Sequence, residues 1–88
     1  MQGITKSGFK YEIKPIVVRD MEFIDLLAES FEDGTKLTPA IKKALGKEQQ
    51  KALYEHVRNE DGLVLIEDVS NEFLEILAEV NKADETKN

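Results

Sequence analysis

The first apolar pattern in the chain has a period of two, which is typical of a β-strand. Apolar and charged residues alternate over residues 9–13, so one face of the segment is apolar and the other is polar. Ser7-Gly8 is a turn dipeptide that precedes this strand. The pattern predicts a hairpin over residues 4–13, with Ile4 opposite Tyr11 across a two-residue turn.

Beyond the hairpin the apolar residues recur every three or four positions, which indicates helices. Asp20 is placed to cap a first helix, and Asp33-Gly34 is a plausible end to it. The stripe that we assign to the core of this helix consists of Ile24, Leu27, Ala28 and Phe31.

Three further helices follow from capping signals and glycines. Thr38 before Pro39 predicts the start of a second helix that ends at Gly46. A third should run from about residue 47 to residue 59, with a narrow apolar face, and Gly62 stops it. The last helix begins near Glu67. Its core stripe is the clearest in the chain and consists of Val69, Phe73, Ile76, Leu77 and Val80.

The predicted fold class is therefore α+β and mostly α, with an N-terminal β-hairpin packed on a small bundle of about four helices. The 88 residues suit a single domain. We place it over residues 1–82 and expect residues 83–88 to form a frayed polar tail. A domain of this size buries only about 60–65% of its unfolded surface, so its core is thin.

Charge and composition exclude several classes of function. The net charge of −6 and the lack of a Lys/Arg cluster disfavour nucleic acid. No apolar run reaches the ~20 residues that a membrane helix needs, and the N-terminus lacks the apolar stretch of a signal peptide. Without cysteine, thiolate metal sites and cysteine nucleophiles are excluded.

Residues 57–68 look like a calcium-binding EF-hand loop, but the ligand count fails. With Gly62 at loop position 6, Asn59 and Asp61 fall on ligand positions, whereas the first ligand position falls on Val57, which has no side-chain oxygen. His56 is the only histidine, no cysteine or second histidine can join it in a metal site, and Glu60 four residues later is an ordinary helix-surface neighbour. We therefore predict no metal, no cofactor and no catalytic residue, and hence no enzyme.

The first and last helices carry more large apolar residues than one core stripe needs. These extra residues are Met21, Phe23, Leu26, Leu74 and Ala78. One interpretation is burial on two sides within a small bundle. The other is a surface for a protein partner or for self-association, because exposed apolar patches mark binding sites. On the second interpretation, alanine at Phe23 or Leu74 should impair binding more than folding.

Four blocks of sequence, in this order, resemble the small tail assembly chaperones of long-tailed phages and prophages of Gram-positive bacteria. They read GITKSGFKYEI at residues 3–13, DMEFIDLLAE at 20–29, LGKEQQKALYEHVRNEDG at 45–62, and a helix over 69–77. The chain departs from the family at Leu63 and Leu65, where a basic residue and a proline are expected.

The resemblance implies a non-catalytic assembly factor in the host bacterial cytoplasm. It would bind the tape measure protein, with the major tail protein as a further candidate partner, and it would be absent from the mature virion. A longer, frameshifted product is known for some relatives. The alternative function is a small phage or bacterial regulatory or adaptor module that binds a helical protein partner.

Overall fold

A computed structural model describes residues 1–86 and confirms a mostly helical α+β fold with an N-terminal two-stranded hairpin. Two short 3₁₀ segments, Pro15–Arg19 and Gly34–Lys36, precede the first and second α-helices. The strands and α-helices are β1 (Gln2–Ile4), β2 (Lys10–Glu12), α1 (Met21–Ser30), α2 (Leu37–Leu45), α3 (Lys47–Val57) and α4 (Ile66–Thr86).

The hairpin has a register one residue away from the predicted one. Tyr11 lies opposite Gly3, not opposite Ile4. The turn has three residues because Gly8 adopts a left-handed conformation (φ +98°) and the backbone N–H of Thr5 donates to the Phe9 carbonyl over 2.9 Å. A slip of one residue exchanges the two faces of a strand, so Thr5 is buried and Ile4 is exposed.

Glycine at position 3 makes room for the Tyr11 ring. A Cβ atom added to Gly3 would lie in hard contact with the phenol of Tyr11, which is itself buried. We expect Gly3→Ala to lower the free energy of unfolding by about 1–3 kcal/mol, because a buried ring must move. Urea denaturation followed by circular dichroism measures the change. The matched control is Ile4→Ala at the adjacent exposed position, which should change the free energy of unfolding by less than about 0.5 kcal/mol. Equal changes in the two variants would contradict the close approach of the Tyr11 ring to Gly3.

The start of α1 is as predicted, but the face that it turns to the core is not. The carboxylate of Asp20 accepts from the Phe23 backbone N–H over 2.8 Å and caps the helix. Phe23 is the fully buried residue of α1, whereas Ile24 and Phe31 are exposed. The predicted core stripe of α1 is therefore wrong at Ile24, Ala28 and Phe31, whereas Leu27 does pack against the core. The observed core stripe consists of Phe23 with the partly buried Leu26 and Leu27. These two residues follow Phe23 by three and four positions, a spacing that the predicted stripe also has.

The second helix begins earlier than the Thr38-Pro39 signal indicates. Asp33 caps the preceding 3₁₀ turn by accepting from the backbone N–H and the hydroxyl of Thr35, at 3.0 and 2.7 Å. The turn leads directly into α2 at Leu37, so Pro39 lies inside the first turn, where a proline is tolerated. Thr38 as the N-cap is thus wrong. The predicted end of α2 at Gly46 is confirmed, and Ile41 and Leu45 of this helix lie in the core.

The third helix ends at Val57, two residues before the predicted end, because Asn59 forms a turn of its own. The Oδ1 atom of Asn59 accepts from the backbone N–H groups of Asp61 and Leu63 at 2.9 and 3.0 Å. Gly62 follows with a positive φ of 81°. The chain then enters α4 at Ile66.

The last helix carries the centre of the core. All residues of its predicted stripe are buried, and Phe73 meets Phe23 edge to face, with ring centroids 6.2 Å apart. Helix α4 runs to Thr86, so it continues beyond the predicted boundary at residue 82; residues 87 and 88 of the expected tail lie outside the described residues. The ion pair between Arg19 and Asp84, 3.4 Å apart, joins this C-terminal part to the first 3₁₀ segment.

Candidate partner-binding surface

A cluster of serine, histidine and glutamate side chains, the residue types of a hydrolytic triad, joins the hairpin to α3 and α4. The Ser7 hydroxyl lies 2.9 Å from Nε2 of His56 and donates to the Glu72 carboxylate over 2.8 Å. In a hydrolytic triad the carboxylate orients the histidine, whereas here it accepts from the two hydroxyls of Thr5 and Ser7. The cluster is therefore arranged to hold the hairpin on the helices. His56 also packs against Phe9, with ring centroids 5.4 Å apart.

The hairpin makes further polar contacts with the acidic side of α4. The backbone N–H of Lys6 donates to the Glu75 carboxylate over 2.7 Å. Burial raises the pKa of the Tyr11 phenol above 10.0, and the negative charges of Glu79 and Glu75 raise it further. Carboxylates on this side of α4 thus serve the attachment of the hairpin.

Side chains of the loop that looks like a calcium-binding loop make hydrogen bonds within the protein. The side-chain oxygen of Asn59 accepts from two backbone N–H groups, and the guanidinium of Arg58 donates to the Gly62 carbonyl over 2.7 Å. Across the described part of the chain, no three or more His, Cys, Asp or Glu side chains are grouped so that they could hold a metal ion.

An apolar groove lies between the C-terminal end of α1 and the N-terminal half of α4. Its floor is the buried ring of Phe73, and Leu27 forms part of its wall. Phe31 and Leu74, which are 71% and 43% exposed, stand at its rim with Ile66. Leu37, Ser30 and Ser70 complete the lining. We call this the α1–α4 groove.

The five residues predicted to bind a partner do not form one surface. Phe23 is 1% exposed and belongs to the core, and Leu26 is partly buried against that core, so neither is a free surface residue. Met21 is 63% exposed at the start of α1. Ala78 is exposed beside the hairpin, in a recess that it shares with Glu75 and Glu79. Only Leu74 lines the α1–α4 groove.

The structure adds Phe31 and Ile66 to the candidate surface. The sequence-based prediction assigned Phe31 to the core because it lies seven residues after Ile24 on a regular stripe. The α-helix ends at Ser30, so Phe31 follows the helix end and most of its ring is exposed. Ile66 opens α4 and follows the connection where the chain departs from the family it resembles.

A larger recess of about 910 Å³ lies between the hairpin, the first 3₁₀ segment and α2. Its charged side chains are largely occupied within the molecule. Lys43 lies 3.7 Å from Asp20 and 3.5 Å from Glu22. The Met1 ammonium donates to the Ile13 carbonyl over 2.8 Å. Because these charged groups are occupied within the molecule and the lining of the α1–α4 groove is mainly apolar, the groove is the stronger candidate for binding a protein partner.

Comparisons with protein-family models, with curated proteins and with solved structures found no match for this chain. Within residues 1–86, no helix combines the length and apolar character required to cross a membrane.

Proposed function

We propose that this protein is a non-catalytic tail assembly chaperone of a phage or prophage, which binds the tape measure protein during tail assembly. The observation that carries the proposal is the α1–α4 groove, an apolar surface on a strongly acidic domain. Such a surface suits the apolar face of a partner helix. The sequence blocks that resemble tail assembly chaperones supply the identity of the partner.

The proposed action is to cover apolar helix faces and keep the partner dissolved. A tape measure protein is a long helical protein, so many copies of a small chaperone would bind along it, and weak individual sites would suffice through avidity. The net charge of −6 on each bound copy would keep the complexes apart. The proposed site of action is the host cytoplasm, before the tail is complete.

The test is co-expression with the tape measure protein encoded by the same genome. We expect the chaperone to increase the soluble yield of the tape measure protein, and Leu74→Asp to abolish the increase because it places a charge in the groove. The matched control is Asn71→Asp on the same helix. It adds the same charge at an exposed residue that lies outside the groove lining and beside His56.

Thermal unfolding must first show that both variants remain folded. An unchanged soluble yield with the unsubstituted chaperone would refute the proposed function. An equal loss with both variants would refute the groove as the binding surface.

A further inference from the structure

The exposed apolar residues around the α1–α4 groove are each followed by a carboxylate. Asp25 follows Ile24, Glu32 follows Phe31, and Glu67 follows Ile66; all three acidic residues are exposed. Ile24 lies three residues before Leu27 and extends the apolar face one turn along α1. We call these three exposed carboxylates, on α1, directly after α1 and on α4, the acidic border of the apolar surface; they do not themselves line the groove.

These three carboxylates are not used within the molecule. Among the described side chains, Asp25, Glu32 and Glu67 have neither an ion pair nor a hydrogen bond. The cation nearest in sequence to Glu32 is Lys36, and its Nζ lies 3.9 Å from the carboxylate of Glu29. The border thus presents negative charge to whatever covers the groove.

We infer that the α1–α4 groove binds an amphipathic helix whose apolar stripe is flanked by lysine or arginine. The inference rests on the proposed function, which supplies the partner helix. What it adds is that this helix carries positive charge beside its apolar stripe. Opposite charges at the rim of an interface accelerate association and exclude wrongly charged partners. Carboxylates on two helices would pair with basic residues on both sides of the partner's stripe.

A second copy of this chain is a poor occupant of the same groove. Two copies related by a two-fold axis would bring the acidic borders together, on subunits that each carry a net charge of −6. The recess at the groove floor is about 50 Å³, far below the ~300–1,000 Å³ of small-molecule sites. It suits one large apolar side chain of the partner helix, inserted between Phe31 and Leu74.

The experiment uses three fluorescent peptides of about 15 residues, long enough to form a marginal helix. They share one leucine-rich stripe and differ only in its flanks, which are lysine, glutamine or glutamate. Fluorescence anisotropy with the full chain should give the tightest binding for the lysine peptide, then the glutamine peptide, then the glutamate peptide. We expect at least about a tenfold difference in Kd between the first and the last, which corresponds to about 1.4 kcal/mol. A salt concentration of about 1 M should remove most of this difference in Kd, since the Debye length is then about 3 Å.

A triple variant locates the charge effect. Asp25→Asn, Glu32→Gln and Glu67→Gln together should abolish the preference for lysine while the glutamine peptide binds as before. The matched control is Asp61→Asn, Glu48→Gln and Glu60→Gln. It removes the same charge from exposed residues of α3 and of the turn after it, and it should keep most of the preference.

Equal affinity for the three peptides, or an equal loss of preference in both triple variants, would overturn the inference. So would a dimer in sedimentation equilibrium that Leu74→Asp dissociates, because a second copy would then occupy the groove. If no peptide binds while the tape measure protein is still solubilised, this inference fails and the proposed function stands. If the lysine peptide binds as expected and the tape measure protein is not solubilised, the inference stands without that function.

Discussion

Replacement of Phe23 by alanine is expected to remove a large part of the stability of the fold. The side chain is fully buried and contacts Phe73 at the centre of the core. Removal of such a ring costs about 3–5 kcal/mol through lost burial and a residual cavity. Because domains are stable by only about 5–15 kcal/mol, this loss is a large fraction of the total. Urea denaturation at 25 °C would measure the shift in the midpoint.

The matched control is Met21→Ala, two residues earlier on the same helix. Met21 is also a large apolar residue, but it is exposed, so its truncation should change the free energy of unfolding by less than about 0.5 kcal/mol. Similar midpoints for the two variants would contradict the orientation of α1. A stable Phe23→Ala protein that fails to bind its partner would instead restore Phe23 as a binding residue.

Thr5→Val should have the second largest effect, although it keeps the shape of the side chain. The Thr5 hydroxyl accepts from the buried backbone N–H of Phe9 at 3.0 Å and donates to the Glu72 carboxylate at 2.8 Å. Valine leaves that N–H without an acceptor and the carboxylate with one donor fewer. An unsatisfied buried group costs about 1–3 kcal/mol, so the hairpin should detach before the helices unfold.

Hydrogen exchange measured by NMR would show this partial opening. Amides of β1 and β2 should exchange faster in Thr5→Val, while those of α2 and the middle of α4 change less. Thr5→Ser keeps the hydroxyl and provides the control, with protection of the strands close to that of the unsubstituted chain. Uniform loss of protection over all elements in Thr5→Val would show that the hairpin does not open separately.

A helix with a single apolar face was the most predictable part of the fold. Most residues of α4 outside its stripe are polar or charged, so one face of the helix stands out as the core face. Helix α1 has apolar residues around more than half of its circumference. Two three-four stripes then satisfy the same rule, and only tertiary packing of Phe23 on Phe73 selects between them.

The register of the hairpin and most of the candidate surface did not follow from the sequence. Ser7-Gly8 predicts a turn, but the register depends on whether two or three residues close it, and here the Thr5 side chain takes the place of one ladder acceptor. Leu74 was identified from its position outside the core stripe of α4. Phe31 was missed because a stripe rule cannot recognise that the helix ends one residue before it.

The attachment of the hairpin to α4 also sets the order in which this chain can complete its fold. Thr5 and Glu72 are 67 residues apart in sequence, and Lys6 and Glu75 are 69 apart. The helices can form from local contacts, whereas the contacts of the hairpin with α4 cannot form until α4 has been synthesised. During translation the hairpin would therefore leave the ribosome before the helices and yet be among the last elements to become fully ordered. A truncation within α4 would remove the surface that orders the beginning of the chain.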